Sequence, residues 1–296
     1  MATLMTYDQS AGNREDLINL VVNITPVETP MLSGFMKTKA TATLHQWVRD
    51  NLAAVGDSKV VEGSDATFGT LVARTTEANY TQINRKTFQV SDTQNVVEKA
   101  GVSGSEYNYQ LAKALKELAR DMEKDIVTGT SASGATGTAR SARGVLSFMS
   151  TNVETGTGTG TEVLTETMYN DLLQTIYDSG GNPDTTYVNG FQKRKISSFT
   201  ASQTRNIEAS SKKLIASIDV YESDFGLQRV ILDRHMDTDV CAAIEKQYWK
   251  LAMLRPVKHT PIAKIGSSQR GMVEAEWTIE ALAEDSSGKA TGLTTS

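Results

Sequence analysis

The chain has a single cysteine in 296 residues, so no internal disulfide can staple it. Its three histidines, His45, His235 and His259, lie far apart, and with one cysteine they leave no Cys/His zinc cluster. Positive charge is not in excess: 30 Lys and Arg against 35 Asp and Glu give a net charge of −5, which argues against a basic protein that coats phosphate. No apolar run approaches the ~20 residues a membrane span needs. The longest near the start, Leu17 to Ile24, is interrupted by Asn19 and Asn23. Residues 1–12 hold neither a basic stretch nor an apolar core, so a soluble chain made in a cytosol is expected. Aromatics make up 6% and prolines number five. Hydrophobic residues at 39% and charged residues at 22% do not describe a disordered chain. The length suits one large or two ordinary domains. What is plentiful is Thr, Ser and Gly.

Periodicity and punctuation predict the elements. Asn13 can cap a short helix carrying Leu17, Ile18, Leu20, Val21 and Ile24, which must stop before Pro26. Residues 25–30, with two prolines, predict an extended stretch. Thr41 to Arg49 and residues 77–90 alternate as two strands around a wide loop at 50–76. Both faces of this ribbon mix polar and apolar residues, whereas a core strand would segregate them. A two-stranded ribbon of that kind is marginal alone, so Trp47 and Arg85 on its faces, with neighbouring Arg49 and Lys86, are expected to be covered by other subunits. Ser103 or Ser105 can cap the clearest element, a helix over 105–128. Leu111, Leu115, Leu118, Met122 and Ile126 form its apolar stripe, and Gly129 ends it. Low-complexity Gly/Ser/Thr segments follow at 129–144 and 155–161, with Gly144 to Met149 read as a short buried strand between them.

Thr165 caps a helix with Met168, Leu172 and Ile176 on one face, closed by Gly180-Gly181-Asn182-Pro183. A strand at Tyr187-Val188, a basic helix from Phe191 to Phe199, and strands at Leu214–Tyr221 and Leu227–Leu232 come next. Residues 240–282 read as several strands broken at Pro256, Pro261 and Gly266. Helices and strands alternate without a βαβ rhythm, so the class is α+β.

No catalytic signature emerges. His235, Asp237 and Asp239 alternate and are read as a polar turn. Cys241 sits in apolar Val240-Cys241-Ala242-Ala243 and reads as a small inert hydrophobe. No serine lies in a nucleophile elbow, and no glycine-rich loop has phosphate-binding spacing. Glu274 and Glu276 read as a solvated pair. The cluster Gln192-Lys193-Arg194-Lys195 is either a solvated face or a contact for nucleic acid or an acidic partner. No catalytic group, cofactor or metal is expected. An arm, a half-wet ribbon and loops around one long helix gain burial only against partners.

The order of these pieces resembles the major capsid proteins of tailed bacteriophages with the HK97-type fold, and the SU10-like subfamily in particular. Carrying residues are Arg14-Glu15-Asp16-Leu17 through Pro30-Met31-Leu32, Trp47-Val48-Arg49-Asp50, Asn79-Tyr80-Thr81-Gln82-Ile83, and the helix Glu106–Val127. Arg143-Gly144-Val145-Leu146, Gly180-Gly181-Asn182-Pro183-Asp184, Leu254-Arg255-Pro256 and Glu276-Trp277-Thr278-Ile279-Glu280 follow in order. The resemblance implies an N-terminal arm at 1–40, an extended β-hairpin loop at 41–92 and a peripheral domain at 93–183 with a spine helix at 104–128. It further implies an axial domain at 184–245 and return strands with a C-terminal tail at 246–296. The implied function is a structural subunit that self-assembles, as hexamers and pentamers, into the icosahedral head of a phage. That head would be built in the bacterial cytoplasm and enclose double-stranded DNA without sequence-specific binding. A separate scaffolding protein and decoration or minor capsid proteins are implied partners. An encapsulin-like nanocompartment shell is the alternative, and Leu17 and Leu20 of the arm join the expected inter-subunit contacts.

Overall fold

The computed structural model describes residues 28–66, 68–99, 104–156, 162–199 and 220–295. The expected helix with Leu17 and Leu20, most of the second low-complexity segment and the start of the strand at Leu214 lie outside the described residues.

In chain order the elements are helix α1 (Pro30–Gly34) and strands β1 (Met36–Lys39), β2 (Leu44–Arg49), β3 (Thr75–Tyr80) and β4 (Gln82–Ser91). Helices α2 (Asp92–Val96), α3 (Glu106–Thr128) and α4 (Val145–Phe148) follow, then β5 (Asn152–Thr155), α5 (Glu166–Asp178), β6 (Thr185–Val188) and α6 (Gly190–Phe199). The chain finishes with β7 (Val220–Ser223), β8 (Gly226–Leu232), β9 (Cys241–Ile244), β10 (Trp249–Ile262), β11 (Ser268–Ala281) and β12 (Gly288–Thr291). A four-stranded sheet runs β1-β10-β11-β4, a six-stranded sheet runs β5-β12-β9-β6-β8-β7, and β2 pairs with β3 as a separate ribbon.

Two apolar cores result. The first gathers Leu118, Met122 and Ile126 of α3 with Met31, Phe148, Trp249, Leu251, Trp277 and Ile279. The second packs Leu172, Leu173 and Ile176 of α5 against Val188, Val230, Cys241 and Ala290 of the six-stranded sheet. The Thr165 hydroxyl caps α5 as expected, accepting from Met168 N. The six-stranded sheet draws β5 and β12 together with β6–β9, so the unit built around 184–245 also holds segments from before and after it.

Several elements differ from expectation. Pro30 opens a helix instead of prolonging an extended stretch, because a proline at the first helical position gives up an N–H that has no partner there. The strand read over 77–90 is broken at Thr81. Its backbone N–H bonds Thr43 O at 2.8 Å and its hydroxyl bonds Glu276 Oε1 at 3.0 Å. Residues before that corner pair with β2, and those after it pair with β11. Gly144 to Met149 is buried but helical, a segment too short for periodicity to tell the two apart. Gly144 and Gly129 pass so closely that a Cβ on Gly144 would lie 2.5 Å from the Gly129 nitrogen.

Pro256 and Pro261 do not end their strand. β1 covers β10 only from Lys250 to Met253, so the prolines fall where that edge has no strand partner among the described residues, and the register against β11 slips around Pro256.

The spine helix spans Glu106–Thr128. Leu118, Met122 and Ile126 are buried and Leu111 packs at the margin of the core. Leu115 is 40% exposed, and Ala114 takes the inward place expected for it. Ser105 stands at the N-cap without capping through its hydroxyl. Asn95 does that work from α2: its Oδ1 accepts from Ser105 Oγ at 3.0 Å and from Tyr107 N at 3.3 Å.

Candidate assembly surfaces

The β2–β3 ribbon is fastened to the body at its root. Trp47 Nε1 donates to Ala281 O at 3.0 Å and its ring packs on Phe148. Asn79 clamps two segments at once, donating to Ile279 O at 3.0 Å and to Arg143 O at 3.1 Å while its Oδ1 accepts from Arg143 N at 2.8 Å. Glu280 Oε1 lies 2.7 Å from His45 Nε2 and accepts from the Thr38 hydroxyl at 2.8 Å. Arg49 pairs with Asp285. The expectation that other subunits cover Trp47 is therefore corrected: its own chain buries it. The half-wet character of the ribbon is real at Val48, which is 63% exposed, but its tryptophan faces inward.

Past the ribbon, residues 50–74 form no helix or strand among the described residues. Leu52, Val55, Phe68 and Leu71 are exposed at 98%, 105%, 99% and 93%. Four large apolar side chains left uncovered in one segment offer surface that a partner could bury.

A ladder of ion pairs crosses the four-stranded sheet. Arg85 reaches Glu274 at 2.9 Å, Arg255 bridges Glu274 at 2.7 Å and Glu276 at 2.8 Å, and Arg140 meets Glu276 at 2.7 Å. Glu274 and Glu276 are thus not a free solvated pair, and Glu276 is only 5% exposed. The Arg85 guanidinium beside Glu274 holds its carboxyl below the usual carboxylate range. Lys86 reaches across to Asp121 of α3 at 2.6 Å. Nothing in the spacing of Arg140, Arg255 and the glutamates reveals this ladder, because strand register brings Arg85 and Arg255 to the glutamates and the loop after α3 brings Arg140.

The candidates for chemistry find other uses. Cys241 is fully buried, and burial pushes its thiol up to about 12. His235, Asp237 and Asp239 lie in the turns between β8 and β9, and no group of three potential metal ligands occurs among the described residues. Gln192 of the basic helix is buried and donates to Thr238 O and Thr294 O at 2.9 and 2.8 Å. Lys193 donates to Val230 O at 2.9 Å, and Lys195 sits 5.2 Å from the Phe191 ring centre. Two of the ten residues of that helix, Gln192 and Ile196, are buried.

A layer of extended structure clamped to a helix-on-sheet body, with an apolar loop hung beyond it, is a design for association. A model of the SU10 major capsid protein family matches residues 4–294. The chain belongs to that family. The major capsid protein of Escherichia phage Phieco32 is 26% identical over 92% of each chain. The capsid subunit of Cyanophage A-1(L) superposes with a TM-score of 0.77 at 11% identity, covering 98% of this chain and 100% of that one. The holo-SrpI encapsulin of Synechococcus elongatus PCC 7942 superposes with a TM-score of 0.61 at 8% identity, covering 100% of this chain and 98% of that one. At such identities the two structural matches establish the fold, which is of the HK97-type, and the family match decides between phage head and encapsulin. The protein is a major capsid protein of a phage and a component of the virion.

Proposed function

We propose that this capsid protein closes its shell as hexamers and pentamers through the segment between β2 and β3, working with the N-terminal arm. The observation that carries this reading is the set of uncovered side chains Leu52, Val55, Phe68 and Leu71 on a segment whose base is clamped by Trp47, Asn79 and Arg49. Their burial against a second copy, at about 25 cal/mol per Å² of apolar surface, supplies a driving force that the isolated subunit cannot use. Arg85 and Lys86, whose ion pairs are partly exposed, are proposed to lie beside that contact, and Leu17 and Leu20 to dock the arm. The extended loop is taken as 41–92 and the arm as 1–40. The peripheral domain is taken as 93–183 with the return strands 246–296, and the axial domain as 184–245 with β5, α5 and β12 packed against it.

The shell would enclose double-stranded DNA without reading its sequence, which suits a net charge of −5. A separate scaffolding protein, decoration or minor capsid proteins, and assembly in the cytoplasm of the bacterial host complete the proposal. Negative-stain microscopy tests it directly. Wild-type protein should give shells or capsomer rings. Leu52→Asp with Phe68→Asp should give monomers whose circular dichroism is unchanged. Normal shells from the double variant would overturn the role given to this loop.

A further inference from the structure

A carboxyl pair buried beneath α1 has no part in the surfaces described above. Glu123 lies on α3 and Asp233 follows β8, and both are 0% exposed. Glu123 Oε1 accepts from Met31 N and Oε2 from Leu32 N, each at 2.8 Å. Both donors belong to the first turn of α1, where N–H groups have no helical partner. Glu123 thus holds the point at which the preceding chain joins the body. The Asp233 carboxyl lies beside that of Glu123, and each acts on the ionisation of the other. Two carboxyls in hydrogen-bond contact hold a proton between them. Asp233 Oδ1 accepts from His235 N at 2.8 Å, whereas Oδ2 is buried with no hydrogen-bond partner among the described residues. A proton shared with Glu123 would satisfy it.

The charges around the pair come from every neighbouring element. Tyr187 of β6 faces both carboxyls, with Asp184 just before it and Arg229 of β8 alongside. Lys246 lies 5.7 Å from the Tyr187 ring centre. Arg234 turns away to Glu28, at 3.6 Å, and Lys124 of α3 is drawn to Asp237. His235 is the titratable group facing Asp233 from its own turn. Among the described residues neither Glu123 nor Asp233 has a Lys or Arg ion-pair partner.

We propose that Glu123 and Asp233 form a proton-dependent clasp that docks the root of the N-terminal segment on the spine helix. It is closed while the two carboxyls share a proton and loosened once both are ionised. Burial, reinforced by the Asp233 charge, pushes Glu123 up to about 7 against the pull of the two backbone N–H groups, and burial raises Asp233 as well. The closed clasp therefore keeps a proton that the opened one, with Glu123 in water at its ordinary 4.5, gives up. Docking is full below that value, is lost as pH rises to about 7, and changes little above it. The full excursion is on the order of a hundredfold in the docking equilibrium.

Hydrogen exchange on the full-length protein, corrected for the intrinsic pH dependence of exchange, reads the clasp in the peptide spanning 30–35. Wild-type protection there should fall at least tenfold between about pH 5 and pH 7.5, while the peptide spanning 114–122 of α3 holds steady. Asp233→Asn removes the partner charge but leaves Glu123 buried, so the fall should shrink without vanishing. Glu123→Gln removes the titrating carboxyl itself, so its profile should be flat. His235→Gln should retain the wild-type fall. A flat wild-type profile overturns the clasp. So does a fall equal to wild type in either carboxyl variant, a loss of the fall in His235→Gln, or a parallel fall across α3.

Discussion

Trp47 illustrates how one side chain changes the account of its surroundings. On an alternating strand of mixed polarity it could face a partner or its own core, and periodicity treats the two faces alike. The structure turns the ring onto Phe148 and closes its indole N–H on Ala281 O. Arg85, assigned the same role, stays 53% exposed at its side chain and pairs with Glu274 across the strand. The two residues should therefore respond oppositely. Trp47→Ala should lower the stability of the unassembled subunit by about 3–5 kcal/mol, the usual cost of emptying a buried tryptophan site. Arg85→Ala should change it by less than about 1 kcal/mol, since exposed ion pairs contribute little. Urea unfolding of the two variants measures both, and equal losses would place Trp47 outside the core.

At the scale of elements, the long helix was legible because its stripe repeats over about four turns and its ends carry Ser105 and Gly129. The same period mistook one position. Leu115 fits the stripe by spacing, yet the buried face runs through Ala114, Leu118, Met122 and Ile126, and Leu115 ends at its edge. A stripe read from large residues alone passes over an alanine that a close neighbour needs. Leu118→Ala should therefore cost about 2–5 kcal/mol and Leu115→Ala well under half of that, by the same unfolding measurement. Strand boundaries were less legible, because they depend on partners far away in sequence. Pro256 and Pro261 look like breakers until β1 is seen to stop opposite Met253, leaving their edge unpaired among the described residues. The corner at Thr81 and the cap from Asn95 are set by Glu276 and by α2, and neither leaves a mark in its own segment. Glu123 is the extreme case: nothing in its own segment marks a charged residue beside the apolar stripe for burial, and only the arrival of α1 gives it a buried task.

At the scale of the whole molecule, the question is which parts the subunit needs for itself. Both cores close without any side chain from residues 50–74. The ribbon beneath that segment is held by Asn79, His45 and Arg49, all contacts made at or below its base. The segment therefore adds chain entropy to the subunit and no packing to offset it. Replacing residues 52–72 with a short Gly-Ser turn should leave the melting temperature of the unassembled subunit within about 4 °C of wild type, the shift expected of a change near 1 kcal/mol in a chain of this size. The same excision should abolish shells, because it removes Leu52, Val55, Phe68 and Leu71 together. Calorimetry and microscopy on one preparation separate the outcomes. A collapse in melting temperature would show the segment to be part of the fold, and intact shells would show that assembly draws on another surface.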